Sequence, residues 1–474
     1  MTAVALRARV EPLAVADPLR LPSLERALQH EWLVWDAWTS GRRRVDLHPF
    51  ILSSAAHRDA IHVAERAWSL VSAAAERAAS DPTERARYRL HPDVERLAAA
   101  ARAGGDSGSV ARVDLLLRED GRFVACEVNA DCPGGYNETL ALPRLARAAG
   151  LRLGALRDTA SGATSRRALR DPTHVAGWLA DRLVERSGGP GSPRGVVALA
   201  YATAYAEDLQ VCALLERLVV ERGGRAVRVP PTALFAADDG EGVAVRTPTG
   251  AQRVASLYRF YPVEWMAGQK NIDVLVRATE KGALASMSSF SCIHAQSKLA
   301  MARAFAHDPA AAAEVFAETF AFADVPRERL AAERESWVVK RDLSRVGDHV
   351  FVGALTTPED FRDILEEVAS VDTDDGGTSR GRATDLGGGK AGPGSPTGQV
   401  WIAQRFVPQA SLATPWGPRL VTLGVYLLDG VFAGYFARLS PTSHCSHDAL
   451  VLPVFVEDTE LAPAASASGA EAGL

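Results

Sequence analysis

Apolar positions recur along this chain with two different periods, and the period changes at Arg112. Between residues 23 and 105 the spacing is helical, most clearly in the Ala-rich runs His62 to Ala79 and Pro92 to Ala103. From Arg112 polar and apolar residues alternate instead: Arg112-Val113-Asp114-Leu115-Leu116-Leu117, then Asp120-Gly121, then Phe123 to Asn129. Two apolar runs flanking Asp-Gly predict a β-hairpin. With Asp120 and Gly121 as a two-residue turn, Asp114 stands opposite Glu127 and Arg112 opposite Asn129. Those four polar side chains then share one face. Val113, Leu115, Leu117, Val124, Cys126 and Val128 make up the other.

Further along, a breaker cluster at Asp131 to Gly135 precedes a predicted helix from about 138 to 149. The strand Val196 to Ala200, a helix over 207–222 and the strand Ala226 to Val229 form a β-α-β pattern, and Val254 to Phe260 adds another strand. Residues 297–333 read as helical with a break at Asp308-Pro309. Strands follow at 337–341, 349–354, 400–407, 419–428 and 431–438, the last two joined through a second Asp-Gly turn, Asp429-Gly430. Residues 372–399 are dense in Gly, Ser, Thr, Asp and Pro; they bury too little apolar area to offset their ordering entropy and are expected to be a mobile insertion.

The 474 residues exceed one ordinary core, which predicts several domains. The expected division is a helical N-terminal region over 1–107, a metal and acceptor part over 108–170, a β-α-β domain over 171–290, a nucleotide-binding part over 291–457 and a disordered tail over 458–474. A net charge of -5 supplies no global basic field and argues against nucleic acid as a partner. No uninterrupted apolar segment reaches membrane-spanning length, and none follows Arg7 and Arg9 as a secretory signal would. Five scattered cysteines, odd in number and without zinc-ligand spacing, suit a reducing cytoplasm, the expected location.

The chemistry begins at the hairpin. Two carboxylates directly opposite each other repel, and a hard divalent cation would reverse that sign, so Asp114, Glu127 and Asn129 are expected to hold magnesium with Arg112 beside them. Lys340 ends a strand and is followed by a turn containing Gly347, an arrangement suited to nucleotide phosphates. Lys298 begins a helix and supplies a second positive charge. Gln404, polar in an apolar strand, or neighbouring backbone groups would read an adenine edge. Arg438 ends a strand where it would brace a transferring phosphate. Leu386 to Lys390 has the look of a phosphate loop, but Thr384 and Ala391 stand where the pattern needs Gly and Ser or Thr. His444-Cys445-Ser446-His447 lacks a second ligand pair and reads as a loop. Cys132 has no histidine near it in sequence and reads first as a small packing residue.

In their order and spacing these blocks resemble the glutathionylspermidine synthase family of ATP-grasp amide ligases. They are Arg112-Val113-Asp114, Glu127 to Asp131, Leu257 to Trp265, Ser297-Lys298, Trp337 to Lys340, Gln404 to Pro408, and Gly424-Val425-Tyr426 through Arg438. The resemblance covers roughly residues 108–457. It implies a mixed α/β, α+β chain with a permuted ATP-grasp fold, in which metal ligands precede the nucleotide lysines. It also implies an ATP- and magnesium-dependent ligase that phosphorylates a peptide-like carboxylate and hands the acyl group to an amine. Asp114, Glu127 and Asn129 would hold Mg2+; Arg112 and Arg438 would stabilise the transferring group; Lys298, Lys340, Gly347 and Gln404 would bind ATP. Cys132 stands where the family has Ser or Thr touching the acceptor. Glu264 matches a position that contacts peptide or amine, although it also reads as a plain ion-pair partner. Arg341 replaces a common Pro, and the turn Ser344 to Asp348 departs from the family pattern. Those departures keep two other readings open: an ATP-binding protein that kept the fold without catalysis, and a kinase-like enzyme that stops at a phosphorylated product.

Overall fold

The computed structural model describes residues 7–11, 13, 18–39, 41–150, 156–157, 164–165, 168–190, 194–344, 347–372, 399–445 and 449–458. The expected insertion 372–399 and tail 458–474 lie outside these residues except at their edges, as does the Leu386 to Lys390 segment.

The central sheet is five-stranded and antiparallel, in the order 450–452, 431–440, 420–428, 110–117 and 123–129. It joins the two Asp-Gly hairpins edge to edge: Val110–Leu117 pairs with Leu420–Leu428, setting Asp114 opposite Gly424 and Arg112 opposite Tyr426. Period-two alternation gives the sheet two unlike faces. Val113, Leu115, Leu117, Val421, Leu423 and Val425 enter a core with Ala60, Val63, Ala64, Ala67 and Val71 of the helix Ser54–Ser80. The small side chains along that helix let it lie close on the strands, and Ser53 caps its first turn by accepting from the Ala56 amide at 3.2 Å. The other face is polar and lines a cavity.

A second antiparallel sheet orders its strands as 319–321, 401–405, 337–341 and 350–352. Trp337, Val339, Trp401 and Ala403 bury one side against Phe361, Ile364, Leu365 and Val368 of the helix Pro358–Val371. The opposite side presents Val338, Lys340 and Gln404 to the same cavity. The predicted β-α-β is present: Val196–Tyr201 and Ala226–Val229 are parallel, flank the helix Ala206–Glu221, and belong to a mixed sheet with Gly250–Phe260.

Three expectations are corrected. The N-terminal region is not wholly helical, because Trp38–Thr39, Arg42–Arg43 and Phe50–Leu52 are strands. Phe50–Leu52 lies between Ala8–Val10 and Val454–Asp458, so segments more than 400 residues apart share a sheet. A short, fully buried apolar run has no period that separates strand from helix. Residues 297–333 are likewise interrupted, since Thr319–Ala321 pairs with Trp401–Arg405. The stretch after Trp337 also contains the Pro358–Val371 helix. Among the described residues no helix is long and apolar enough to cross a membrane.

Gly104 caps the helix Pro92–Ala103 where it meets Ile272–Glu280, and a Cβ there would stand 2.0 Å from the Thr279 carbonyl oxygen. Gly104→Ala therefore costs about 1–3 kcal/mol of stability by overpacking, read from urea unfolding. A midpoint equal to that of the parent chain would show that these helices can move apart freely.

Candidate functional site

The first hairpin reaches its predicted polar pairing by an unpredicted route. Its loop has three residues, not two: Arg118 and Arg122 pair across it, the Gly121 amide donates to the Arg118 carbonyl at 2.9 Å, and Gly121 takes φ +82°. The longer loop shifts the register by one, and a bulge at Cys126 shifts it back, so Asp114 still faces Glu127 and Arg112 faces Asn129. Between loop and bulge the faces are exchanged relative to expectation. Phe123 and Ala125 enter the core, whereas Cys126 lines the cavity.

Asp114 is buried and accepts from both sides. Arg112 donates through Nε at 2.7 Å and Nη2 at 3.1 Å, Arg438 through Nη2 at 2.5 Å, and Asn129 through Nδ2 at 3.3 Å. Burial is the largest influence and pushes the carboxyl up, but Arg112 and Arg438 outweigh it and bring Asp114 down to about 2. Glu127 is held below its ordinary value. Burial and Asp114 push it up, while Lys298, 3.1 Å away, and Lys340 pull it down. The two acids thus have protein cations between them and around them. Their proximity does not require a metal, which removes the electrostatic argument first made for one.

The lysines are held as firmly. Lys298 Nζ donates to the carbonyls of Asp342 at 2.9 Å and Ser344 at 3.0 Å besides its contact with Glu127. Lys340 Nζ donates to the Cys126 carbonyl at 3.2 Å and to Gln404 Oε1 at 2.7 Å. The Gln404 amide nitrogen is in turn 2.9 Å from Thr319 Oγ1. With Oε1 on Lys340 and Nε2 on Thr319, Gln404 holds Lys340 in place.

Every residue singled out from the sequence lines one cavity of about 1090 Å3: Arg112, Asp114, Glu127, Asn129, Cys132, Glu264, Lys298, Lys340, Gly347, Gln404 and Arg438. Its volume suits a nucleotide together with a small substrate. A shallower hollow of about 1210 Å3 lies elsewhere, beside Arg182 and Arg186. Asp429 and Glu185 take up Arg182, and Asp106 takes up Arg186, so these two cations are already engaged.

Several contributing residues escaped the sequence reading. Asp131 and Arg259 form an ion pair at 2.8 Å with almost no exposure, and the Val263 amide donates to Asp131 at 3.0 Å. This pins the turn Val263–Met266, and hence buried Glu264, against the end of the hairpin. An arginine inside the apolar run Leu257 to Phe260 was the available signal. Asp342 accepts from Ser297 Oγ at 2.7 Å and from the Leu299 amide at 3.2 Å, fixing the start of the Leu299–His307 helix beside Lys298. Gly424 is a mid-strand glycine because Arg112 crosses it: a Cβ there would lie 2.6 Å from Arg112 Cδ. Glu138, in the first turn of Tyr136–Ala148, is buried on the cavity wall, and burial followed by nearby Asp36 pushes its carboxyl up to about 7.

No protein-family model matches the chain, and the search of curated proteins gives no match. Solved structures do resemble it. A glutathione synthetase-like effector from Globodera pallida, in its apo form, superposes with a TM-score of 0.52 over 93% of this chain and 98% of that one, at 12% identity. A candidate gamma-glutamylcysteine synthetase from Methylobacillus flagellatus gives a TM-score of 0.40 over 79% of this chain and 88% of that one, also at 12% identity, and carries no argument. The first likeness shows the fold alone, a mixed α/β architecture shared with that effector. Neither protein is described as a glutathionylspermidine synthase.

Gly424→Ala should force the Arg112 stem off Asp114 and lower stability by about 1–3 kcal/mol, measured by urea unfolding; an unchanged midpoint would show room for the methyl group. Glu138 gives a pH signature. Its folded carboxyl titrates near 7 against an ordinary value of 4.5, so the folded state binds more protons and stability falls as pH rises from 4.5 to 7. Glu138→Gln should flatten that part of the stability–pH curve. Retention of the full slope would place its origin in another group.

Proposed function

We propose that this protein is an ATP- and magnesium-dependent ligase that joins a peptide-like carboxylate to an amine through an acyl phosphate, on an ATP-grasp core in permuted order. One observation carries this reading: Arg112, Arg438, Lys298 and Lys340 converge on Asp114 and Glu127 in a single cavity, with Asp342 beside Lys298. Cations gathered in this way suit a polyphosphate. The glutathione synthetase-like fold of the effector is in keeping with carboxylate–amine ligation.

The donor set fits magnesium in part. It is all oxygen, which a hard cation prefers, and magnesium ordinarily takes only one or two carboxylates besides phosphate oxygens. Glu127 and Asn129 are the fitting ligands. Asp114, with its oxygens on two guanidinium groups, serves first to aim those groups. Among the described residues no three His, Cys, Asp or Glu side chains form a metal site. Bound magnesium would neutralise phosphate charge. Glu127 and Asn129 would hold it, and Lys298 and Lys340 would face the phosphates. Arg112 and Arg438, held from behind by Asp114, spread positive charge over the transferring phosphoryl group and then over the acyl phosphate. The amine must be neutral to attack, and Glu264, which also lines the cavity, would accept its proton. Cys132, on the loop between hairpin and helix, borders the acceptor. The odd number and scatter of the five cysteines along the sequence suit a reducing, cytoplasmic setting.

A second reading, an ATP-binding protein without catalysis, is favoured by one feature: the donors of Lys298 are all occupied within the protein. One assay separates the two. The purified chain, given Mg-ATP and a panel of carboxylates and amines, should release ADP and phosphate and form an amide of matching mass. Arg438→Ala should lower that turnover by about 10³-fold, and Glu127→Gln should abolish its magnesium dependence. ATP binding with no ADP release across the panel would support the second reading and sink the first.

A further inference from the structure

The cavity is bipolar. Away from the lysines its wall carries Asp36, Glu138, Glu207 and Asp208. Arg44 is the cation among them; it is paired with Asp36 and stands 4.0 Å from Glu207. Acidic clusters on a surface are ordinarily solvated, but Glu138 is 5% exposed, and its Oε2 is fully buried with no hydrogen-bond partner. Burial leaves that carboxyl partly protonated near neutral pH; a cation seated against it would complete the orphan oxygen and hold the group ionised. Trp35 and Tyr205 line the same stretch and are themselves partly exposed, offering aromatic faces to a cation.

We propose that this end of the cavity holds a protonated ammonium group of the substrate, with Glu138 as its principal counter-charge. The inference rests on the ligase reading and deepens it, because it says what kind of substrate the site selects. The ammonium held here anchors and does not react: a nitrogen kept protonated against a carboxylate has no lone pair for an acyl phosphate. The substrate therefore carries this charge in addition to its reacting group. Two sources share the chemistry, the α-ammonium of an amino acid or peptide and the second ammonium of a diamine. The opposed charges at the two ends then orient the substrate, keeping its cationic end away from Arg112 and Arg438.

Calorimetric titration of the full chain tests this with matched probes: triglycine against N-acetyl-triglycine, and 1,4-diaminobutane against 1,4-butanediol. In at least one pair the charged member should bind about tenfold more tightly than its neutral counterpart, and the pair that shows it names the source. Glu138→Gln should erase most of that preference while ATP affinity stays at the parent level. Glu207→Gln, whose side chain is 57% exposed, should lower it by about two- to threefold and serves if the first variant fails to fold. Equal affinity for charged and neutral members, no binding of any probe, or a preference that survives in both variants overturns the proposal. ADP release measured on the same samples speaks only to the ligase reading, since the charge preference is read from binding.

Discussion

A carboxylate at Asp114, buried between guanidinium groups from Arg112 and Arg438, is the interaction around which the site is organised. Residues 114 and 438 are 324 apart in sequence and are brought together because one hairpin strand pairs with another. An unpaired charge at that depth would be costly. Two cations on one acid leave net positive charge in the wall, and that surplus is what makes the face receptive to phosphate. The same pairing constrains the backbone: only glycine at 424 lets the Arg112 stem cross the neighbouring strand. The cavity and the sheet are therefore one construction, with the dry face packed on the Ser54–Ser80 helix and the wet face charged.

Charge in this molecule is partitioned along the cavity. The hairpin end holds Asp114 and Glu127 in ion pairs with Arg112, Arg438 and Lys298, whereas the stretch near Tyr205 carries Asp36, Glu138, Glu207 and Asp208 around Arg44. The buried Asp131–Arg259 pair lies in neither group; it has no exposure to lend to a ligand and acts as a fastener between the hairpin and the strand Gly250–Phe260. Position therefore decides what each ion pair contributes. A pair at the cavity wall can exchange a partner for a ligand, as Glu127 can exchange Lys298, and a pair sealed inside cannot.

Much of this was legible in the sequence where local rules are strong. Both Asp-Gly turns, the β-α-β unit and the helix Pro92–Ala103 carry their own period and punctuation. The polar face was legible too, although by a fortunate cancellation: the turn is one residue longer than read, and the Cys126 bulge restores the register. What could not be read was set by distant partners. Phe50–Leu52 is a strand because Ala8–Val10 and Val454–Asp458 lie beside it, and Thr319–Ala321 because Trp401–Arg405 does. Lys340 and Thr319 stand on the two ends of the Gln404 amide, a pairing that its strand pattern gives no sign of. The two hairpin acids were read as needing a metal because no sequence rule places Lys298 or Arg438 beside them.

The most direct test is a crystal structure of the chain with magnesium and a non-hydrolysable ATP analogue. The account places the phosphates among Lys298, Lys340 and Arg438, with the metal on Glu127 and Asn129 and the Lys298–Glu127 contact broken. Nucleotide bound elsewhere, with that contact and both arginine pairs undisturbed, would contradict it.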